Sequence, residues 1–454
     1  MVMLRNSRKR ERGQSKKAFK VKPKQSRKED DFDEVVSSDS ELDETEIIPK
    51  VAEQSDSEDE NETAQEKKMR LTKKYLEELK MIKEQNATDD EKDLVGEQLQ
   101  EDVLEKAGRL QKKIAAKCLP PDEGIIKVLK GHKLSVICMA VSSDGLLLFT
   151  GSKDCSIIKW DLKTHKKLHV MKGGSKIDGV CHRGHVLCLA LSTDMKFLAS
   201  GGRDKLIHIW NPNTCEHLHT FKGHRNAVSG VSIRANSHQL FSSSHDRTVK
   251  VWDLDALAYV ETLYGHQDAA QSCDSLNRER CVTAGGRDGS IRIWKIVEES
   301  QLLFHGHSGS IDCVRLINEE HMISGSDDGS VCLWSVMKKR PIAVVQQAHR
   351  LEGVPKSREM WISAVASLTN SDLIATGSSD GYIRLWKCEG KFLKLTPLFN
   401  VSVPGFINDM RFTNNGLFLI AAVGQEHKLG RWWKLKDAKN FIYVIPIQGN
   451  AENK

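Results

Sequence analysis

The sequence predicts an all-β protein in which seven repeated units each fold as a four-stranded sheet, preceded by a charged tail and a helical segment. Three observations carry this. Tryptophans recur at Trp160, Trp210, Trp252, Trp294, Trp334, Trp386 and Trp432, at intervals of 50, 42, 42, 40, 52 and 46 residues, and self-similarity at such a period marks a repeat architecture. Asp154, Asp204, Asp246, Asp288, Asp328 and Asp380 each stand six residues before a tryptophan, and Glu426 takes that place in the seventh unit. Around each tryptophan apolar and polar residues alternate, as in "SIIKWDL" and "TVKVWDL", the period-2 pattern of a strand with one buried face.

Residues 1–62 lack the apolar residues a core needs. Residues 1–28 hold twelve Lys/Arg against one acid, and residues 29–62 hold sixteen Asp/Glu against Lys50 alone. Such blocks repel themselves and are predicted to be disordered. The clusters "RKRER" and "KKAFKVKPK" read as a nuclear or nucleolar address that can also touch RNA phosphates. Ser38, Ser40, Ser55 and Ser57 each have an acid three residues on, which suits acid-directed phosphorylation.

Residues 63–118 change to helical spacing. Thr63 with Glu66, and Thr88 with Glu91, read as capping boxes that open two helices, the second carrying Leu94, Val95, Leu99, Val103, Leu110 and Ile114 on one face. Pro120 and Pro121 end this segment. Its apolar faces need cover, from the following domain or from a neighbouring protein. Eleven cysteines without metal-ligand spacing, and no apolar run of spanning length, predict a reduced intracellular protein with no membrane partner and no metal.

The repeat domain is predicted over residues 124–448, with 449–454 as a tail. A His lies 22 residues before the Asp at His132, His182, His224 and His266, and 21 before it at His307. A Ser or Thr stands four before the Asp at Thr150, Ser200, Ser242, Ser324 and Thr376. A His–Asp–Ser/Thr–Trp chain satisfies every donor it buries, so these residues are predicted to be structural rather than catalytic. The fourth unit has Ala284 at the hydroxyl position, which predicts an incomplete chain there. The sixth has Arg358 and the seventh Val403 or Pro404 where the His belongs, which predicts its loss in both.

With GH, Asp and Trp recurring at 40 to 45 residues, the domain resembles the WD40-repeat family, and seven copies imply a seven-bladed β-propeller. The resemblance implies a binding platform without catalytic residues, cofactor or small-molecule substrate. The residue before each repeat Asp lies on the tight turn between second and third strands, and in blade order reads Lys153, Arg203, His245, Arg287, Asp327, Ser379 and Gln425. Four basic positions in succession, with Arg247 beside them, predict a rim for phosphate contact. "VGQEHKLGRWWKL" is read as the turn and third strand of the seventh unit, with Trp432 at the Trp place and His427, Lys428 and Arg431 available to RNA. "IIKVLK" and "FIYVIPI" compete for the outer strand of the last blade, and the first is expected to close the ring.

The stretches "ETAQEKKMRLTKKYLEEL", "LQEDVLEKAGRLQKK", "VTAGGRDGSIRIWK", "INEEHMISGSDDGSV" and "VGQEHKLGRWW" are similar to the family of U3 small nucleolar RNA-interacting WD-repeat proteins, from Glu62 onward. That resemblance implies a nucleolar ribonucleoprotein component. Its partners would be the box B/C region of U3 small nucleolar RNA, box C/D core proteins including the kink-turn-binding protein, and the small-subunit processome. The alternative is a nuclear adaptor that recognises a peptide or protein without RNA contact.

Overall fold

The computed structural model describes residues 69–70, 73–74, 100, 103–104, 110–174, 181–350, 360–390, 392–428, 430 and 433–447. Seven four-stranded antiparallel sheets follow one another along the repeat domain. The first strand of each packs beside the first strand of the next, and that of the seventh beside that of the first, so the sheets form a ring of blades. Blade 1 is Val136–Val141, Leu147–Ser152, Ile157–Asp161 and Lys166–Met171. Its first three strands are almost wholly buried, whereas the outer strand is mostly exposed. Burial on both faces explains why "VICMAV" reads as a continuous apolar run rather than an alternation.

The core lies between blades. Leu148, Ile158 and Trp160 of blade 1 pack with Leu129, Ile420, Ala422, Ile442 and Val444 of blade 7, and equivalent layers recur around the ring. No blade can bury its own faces, so each depends on both neighbours.

In blade 1 the predicted chain is present: Trp160 Nε1 donates to Thr150 Oγ1 at 2.8 Å, His132 Nε2 lies 2.9 Å from the same hydroxyl, and His132 Nδ1 lies 3.3 Å from Asp154. The aspartate also accepts from the backbone N–H of Lys133 and of Ser156, so it ties the loop before the first strand to its own turn. The next residue in that turn has positive φ in six blades, at Cys155, Lys205, Arg247, Gly289, Gly329 and Gly381. Blades 2 and 3 repeat the chain through His182, Asp204, Ser200 and Trp210, and through His224, Asp246, Ser242 and Trp252.

Four expectations are corrected. Blade 4 is complete: Thr283 Oγ1 receives Trp294 Nε1 at 2.8 Å and lies 2.7 Å from His266 Nε2, while His266 Nδ1 meets Asp288 at 2.9 Å. One extra residue between the hydroxyl and the aspartate lengthens the turn, moving the position from Ala284 to Thr283. Blade 6 keeps its histidine, because His349 meets Asp380 at 2.9 Å and Thr376 Oγ1 at 2.8 Å, and Trp386 donates to the same hydroxyl. The insertion sits between this His and the first strand, where loop length is free so long as the ends meet; Arg358 lies outside the described residues. In blade 5, His307 reaches Ser324 and, in place of Asp328, Ser330 at 2.7 Å, and Trp334 donates to Ser324.

The fourth correction concerns blade 7. Its strands are Phe406–Phe412, Phe418–Gly424 and Phe441–Pro446, and Lys127–Leu129 pairs with the last of these. The two competing segments therefore occupy adjacent places, and the N-terminal one closes the ring. The register sets Met410 opposite Ala421 and Leu419 opposite Ile445, as Met139 faces Thr150 and Leu148 faces Trp160 in blade 1. Ala421 and Ile445 thus replace hydroxyl and indole together, and an apolar pair in a dry layer leaves no donor unsatisfied. The described residues between Gly424 and Phe441 lie outside the strands, with a β-bridge between Glu426 and Lys434; Trp432 lies outside the described residues.

Of the helical segment, the described residues Met69, Arg70, Lys73, Lys74, Gln100, Val103 and Leu104 are helical. The second predicted helix does not extend over Leu110 and Ile114. Lys112 bridges Ser371, a short 3-10 turn covers Ala115–Lys117, and Asp372 Oδ1 accepts from the N–H groups of Ile114 and Ala115 at 2.8 and 2.9 Å. Ala115 and Cys118 are buried in the core between blades 6 and 7. Side-chain capping by blade 6 outcompetes helix propensity there.

Candidate nucleic-acid interface

The turns between second and third strands and the loops bearing the repeat histidines share one rim, because each aspartate bonds to both. Arg203, Arg247 and Arg287 are exposed on the turns of blades 2, 3 and 4. Positive φ at Arg247 carries its side chain outward on the turn. His245 is half-buried with Nε2 3.3 Å from Gln271 Oε1, and burial holds its pKa below the usual histidine value.

Further cations join this rim. The residue after the repeat His gives its backbone N–H to the aspartate, which turns its side chain outward: Lys133, Arg183 and Arg225 in blades 1 to 3, all exposed. Lys205 is also exposed on the blade 2 turn. None of these rim cations has an ion-pair partner among the described residues. The signal that would have found them is the fixed position one after the histidine.

Two of the proposed contacts are corrected by burial. Lys153 is 2 % exposed, and its Nζ donates to His427 O at 2.6 Å and Gly430 O at 3.1 Å and lies 3.3 Å from Glu426. His427 is also 2 % exposed, its ring 4.0 Å from that of Trp361, and burial together with the Lys428 and Lys153 charges pushes its pKa well down. Both position the segment after the seventh blade's second strand instead of facing a ligand. Lys428 is half-buried and reaches back to Ser363 O at 3.1 Å and Asp312 O at 3.3 Å, so this segment spans from blade 1 to blades 5 and 6. Arg431 lies outside the described residues, as do Ser38, Ser40, Ser55 and Ser57.

The centre of the ring is crossed by charge. Arg315 lies 3.7 Å from Asp274 and 3.5 Å from Asp409, with Arg411 beside it. A polar cavity of about 210 Å³ lies against this layer, lined by Ser232, Ser275 and Arg411 among others. His182, Asp204 and His208 approach within 4.8 Å of one another, but both His182 nitrogens are engaged, by Asp204 at 2.9 Å and Ser200 at 2.8 Å. Burial raises the thiols of Cys313, Cys332 and Cys388 to about 12, so these remain protonated and poor nucleophiles at neutral pH.

The family model "WD domain, G-beta repeat" matches residues 124–161, 177–211, 215–253, 258–295, 298–335 and 349–387, leaving the divergent seventh blade unmatched. The chain is 51 % identical over 393 residues to mouse "U3 small nucleolar RNA-interacting protein 2", covering 85 % of this chain and 83 % of that one. The solved structure titled "Structure of U3-55K" is 55 % identical with a TM-score of 0.70, over 72 % of this chain and 99 % of the other. That titled "Crystal structure of RRP9 WD40 repeats" is 54 % identical with a TM-score of 0.71, over 73 % and 99 %. The chain belongs to the WD40-repeat family, in the branch of the U3 small nucleolar RNA-interacting proteins.

Proposed function

We propose that this chain is a non-catalytic RNA–protein scaffold of the U3 small nucleolar ribonucleoprotein in the nucleolus. It binds the box B/C region of U3 RNA beside a kink-turn-binding protein of the box C/D core. Within the small-subunit processome it supports pre-rRNA cleavage towards 18S rRNA and small-subunit assembly. The observation that carries this is the unpaired cationic rim of blades 1 to 4, on a chain half identical to a protein named for interacting with U3 RNA. A rigid ring grips a folded RNA through its phosphates and shape, which need fixed cations rather than a reactive group.

Changing Arg203, Arg247 and Arg287 together to Glu tests it. U3 RNA should no longer co-purify, and the slope of log affinity against log salt should fall by about 2 to 3, near one unit per lost phosphate contact. Recovery equal to wild type would remove the rim from the function.

A further inference from the structure

The seam where the ring closes carries a second cationic surface, on the outer edge rather than the rim. Two stretches form it. "KVLKGHK", residues 127–133, is the closing strand and the loop after it, and "KKLHVMK", residues 166–172, is the outer strand of blade 1 and its end. Each holds three lysines and no acid, and Lys127, Lys130, Lys133, Lys166, Lys167 and Lys172 are all exposed.

The fold sets the stretches side by side. A Cβ added to Gly131 would lie 2.7 Å from Trp160 Cη2 and 3.3 Å from Lys167 Cε. Gly131 thus lets the closing segment lie against the blade 1 indole with the Lys167 stem over it. None of the six lysines has an ion-pair partner among the described residues.

Lysines on edge strands commonly only prevent sheet-to-sheet association. That need would apply around the whole ring, yet the outer strands of blades 3, 4 and 5, Ala258–Tyr264, Ser300–His305 and Ala343–Val345, contain no lysine, and those of blades 2 and 6 contain one each, Lys222 and Lys394. The concentration at one seam therefore asks for a ligand. A protein partner would want an aromatic anchor and few lysines. The exposed apolar side chains within these stretches are only Val128 and Leu168. A line of exposed ammonium groups without ion-pair partners among the described residues, along a strand of about 20 Å, suits a phosphodiester backbone, and Lys133 joins it to the rim.

We infer that the outer edge at the seam of blades 1 and 7 is a second RNA-binding surface, which takes the sugar-phosphate backbone of the RNA already held by the rim. The inference rests on the proposed RNA-scaffold function and extends its footprint from one face to the side of the ring.

The test uses the full chain with Lys127→Gln, Lys166→Gln and Lys172→Gln; Lys130 and Lys167 are kept because they lie over the rings of Phe441 and Trp160. Binding of transcribed U3 small nucleolar RNA is titrated at several salt concentrations, beside the wild type and the triple-Glu rim variant. The edge variant should melt as the wild type does, bind about ten-fold more weakly, and lower the salt slope by about 2. Wild-type affinity and slope in that variant, while the rim variant fails to bind, would overturn the edge surface and leave the scaffold reading standing. Failure of the wild type to bind would sink both. Unchanged RNA binding with loss of a nuclease-resistant protein partner would also overturn it, assigning the edge to a protein.

Discussion

A single hydroxyl decides whether a blade keeps its buried hydrogen-bond chain closed. Each of Thr150, Ser200, Ser242, Thr283, Ser324 and Thr376 accepts an indole N–H and meets a histidine nitrogen. His349→Ala in blade 6 removes one partner each from Thr376 and Asp380, which keep the N–H groups of Trp386 and Tyr382 respectively, and with the cavity it leaves should cost about 1 to 3 kcal/mol in denaturant unfolding; a loss under about 0.5 kcal/mol, the size of an ordinary surface change, would show that His349 is dispensable. Acid should weaken the fold in two stages. Burial holds His307 at about 4 and, with the nearby His182 charge, His208 at about 3, against an ordinary 6.5. The unfolded chain then binds more protons than the native one between these values, so stability falls as pH drops from about 6.5. His307→Gln should remove up to about 3 kcal/mol of that fall, seen as a flatter melting temperature between pH 6.5 and 4. Asp154 and Asp246 follow below the usual carboxylate range. Burial works against them, but hydrogen bonds from His132 and Ser156, and from His224 and Thr248, keep both charged in the native state. At this scale the sequence was legible wherever spacing is rigid. His349 was missed because a loop of any length can precede the first strand, and Thr283 because one inserted residue shifts the count.

At the scale of elements, strands were readable from the tryptophan repeat until the seventh blade, where the same repeat misled. "QEHKLGRWW" keeps the letters of a turn and third strand, but Phe441–Pro446 pairs better, being an unbroken run of apolar and β-forming residues. The vacated segment becomes a strap tied down by Lys153, which the sequence could not show because the lysine's partners are backbone carbonyls from 274 and 277 residues away. A second strap precedes the ring, and there helical spacing lost to capping by Asp372. Asp372→Ala leaves the Ile114 and Ala115 N–H groups without their acceptor. It should lower stability by about 1 to 3 kcal/mol and speed proteolytic cleavage just before blade 1; an unchanged cleavage pattern would mean that the strap is held by Lys112 and the buried Ala115 alone.

The repeat domain is a closed ring whose last blade borrows its outer strand, Lys127–Leu129, from the segment before blade 1. That closure brings the two ends of the repeat domain together and sets a lysine-rich edge next to a cationic rim. Most of the fold was open to reading because repetition supplies many copies of one signal. The site was less so, because charge at a turn says nothing of burial: Lys153 and Arg203 occupy equivalent positions, one turned inward to carbonyls and the other outward to solvent. Whether this ring holds U3 RNA on its cationic surfaces, as proposed, is decided by crosslinking the full chain in cells and sequencing the bound RNA. Crosslinks should concentrate in the box B/C region of U3 RNA and in peptides from blades 1 to 4. Crosslinks spread evenly over unrelated RNAs, or none at these blades, would contradict it.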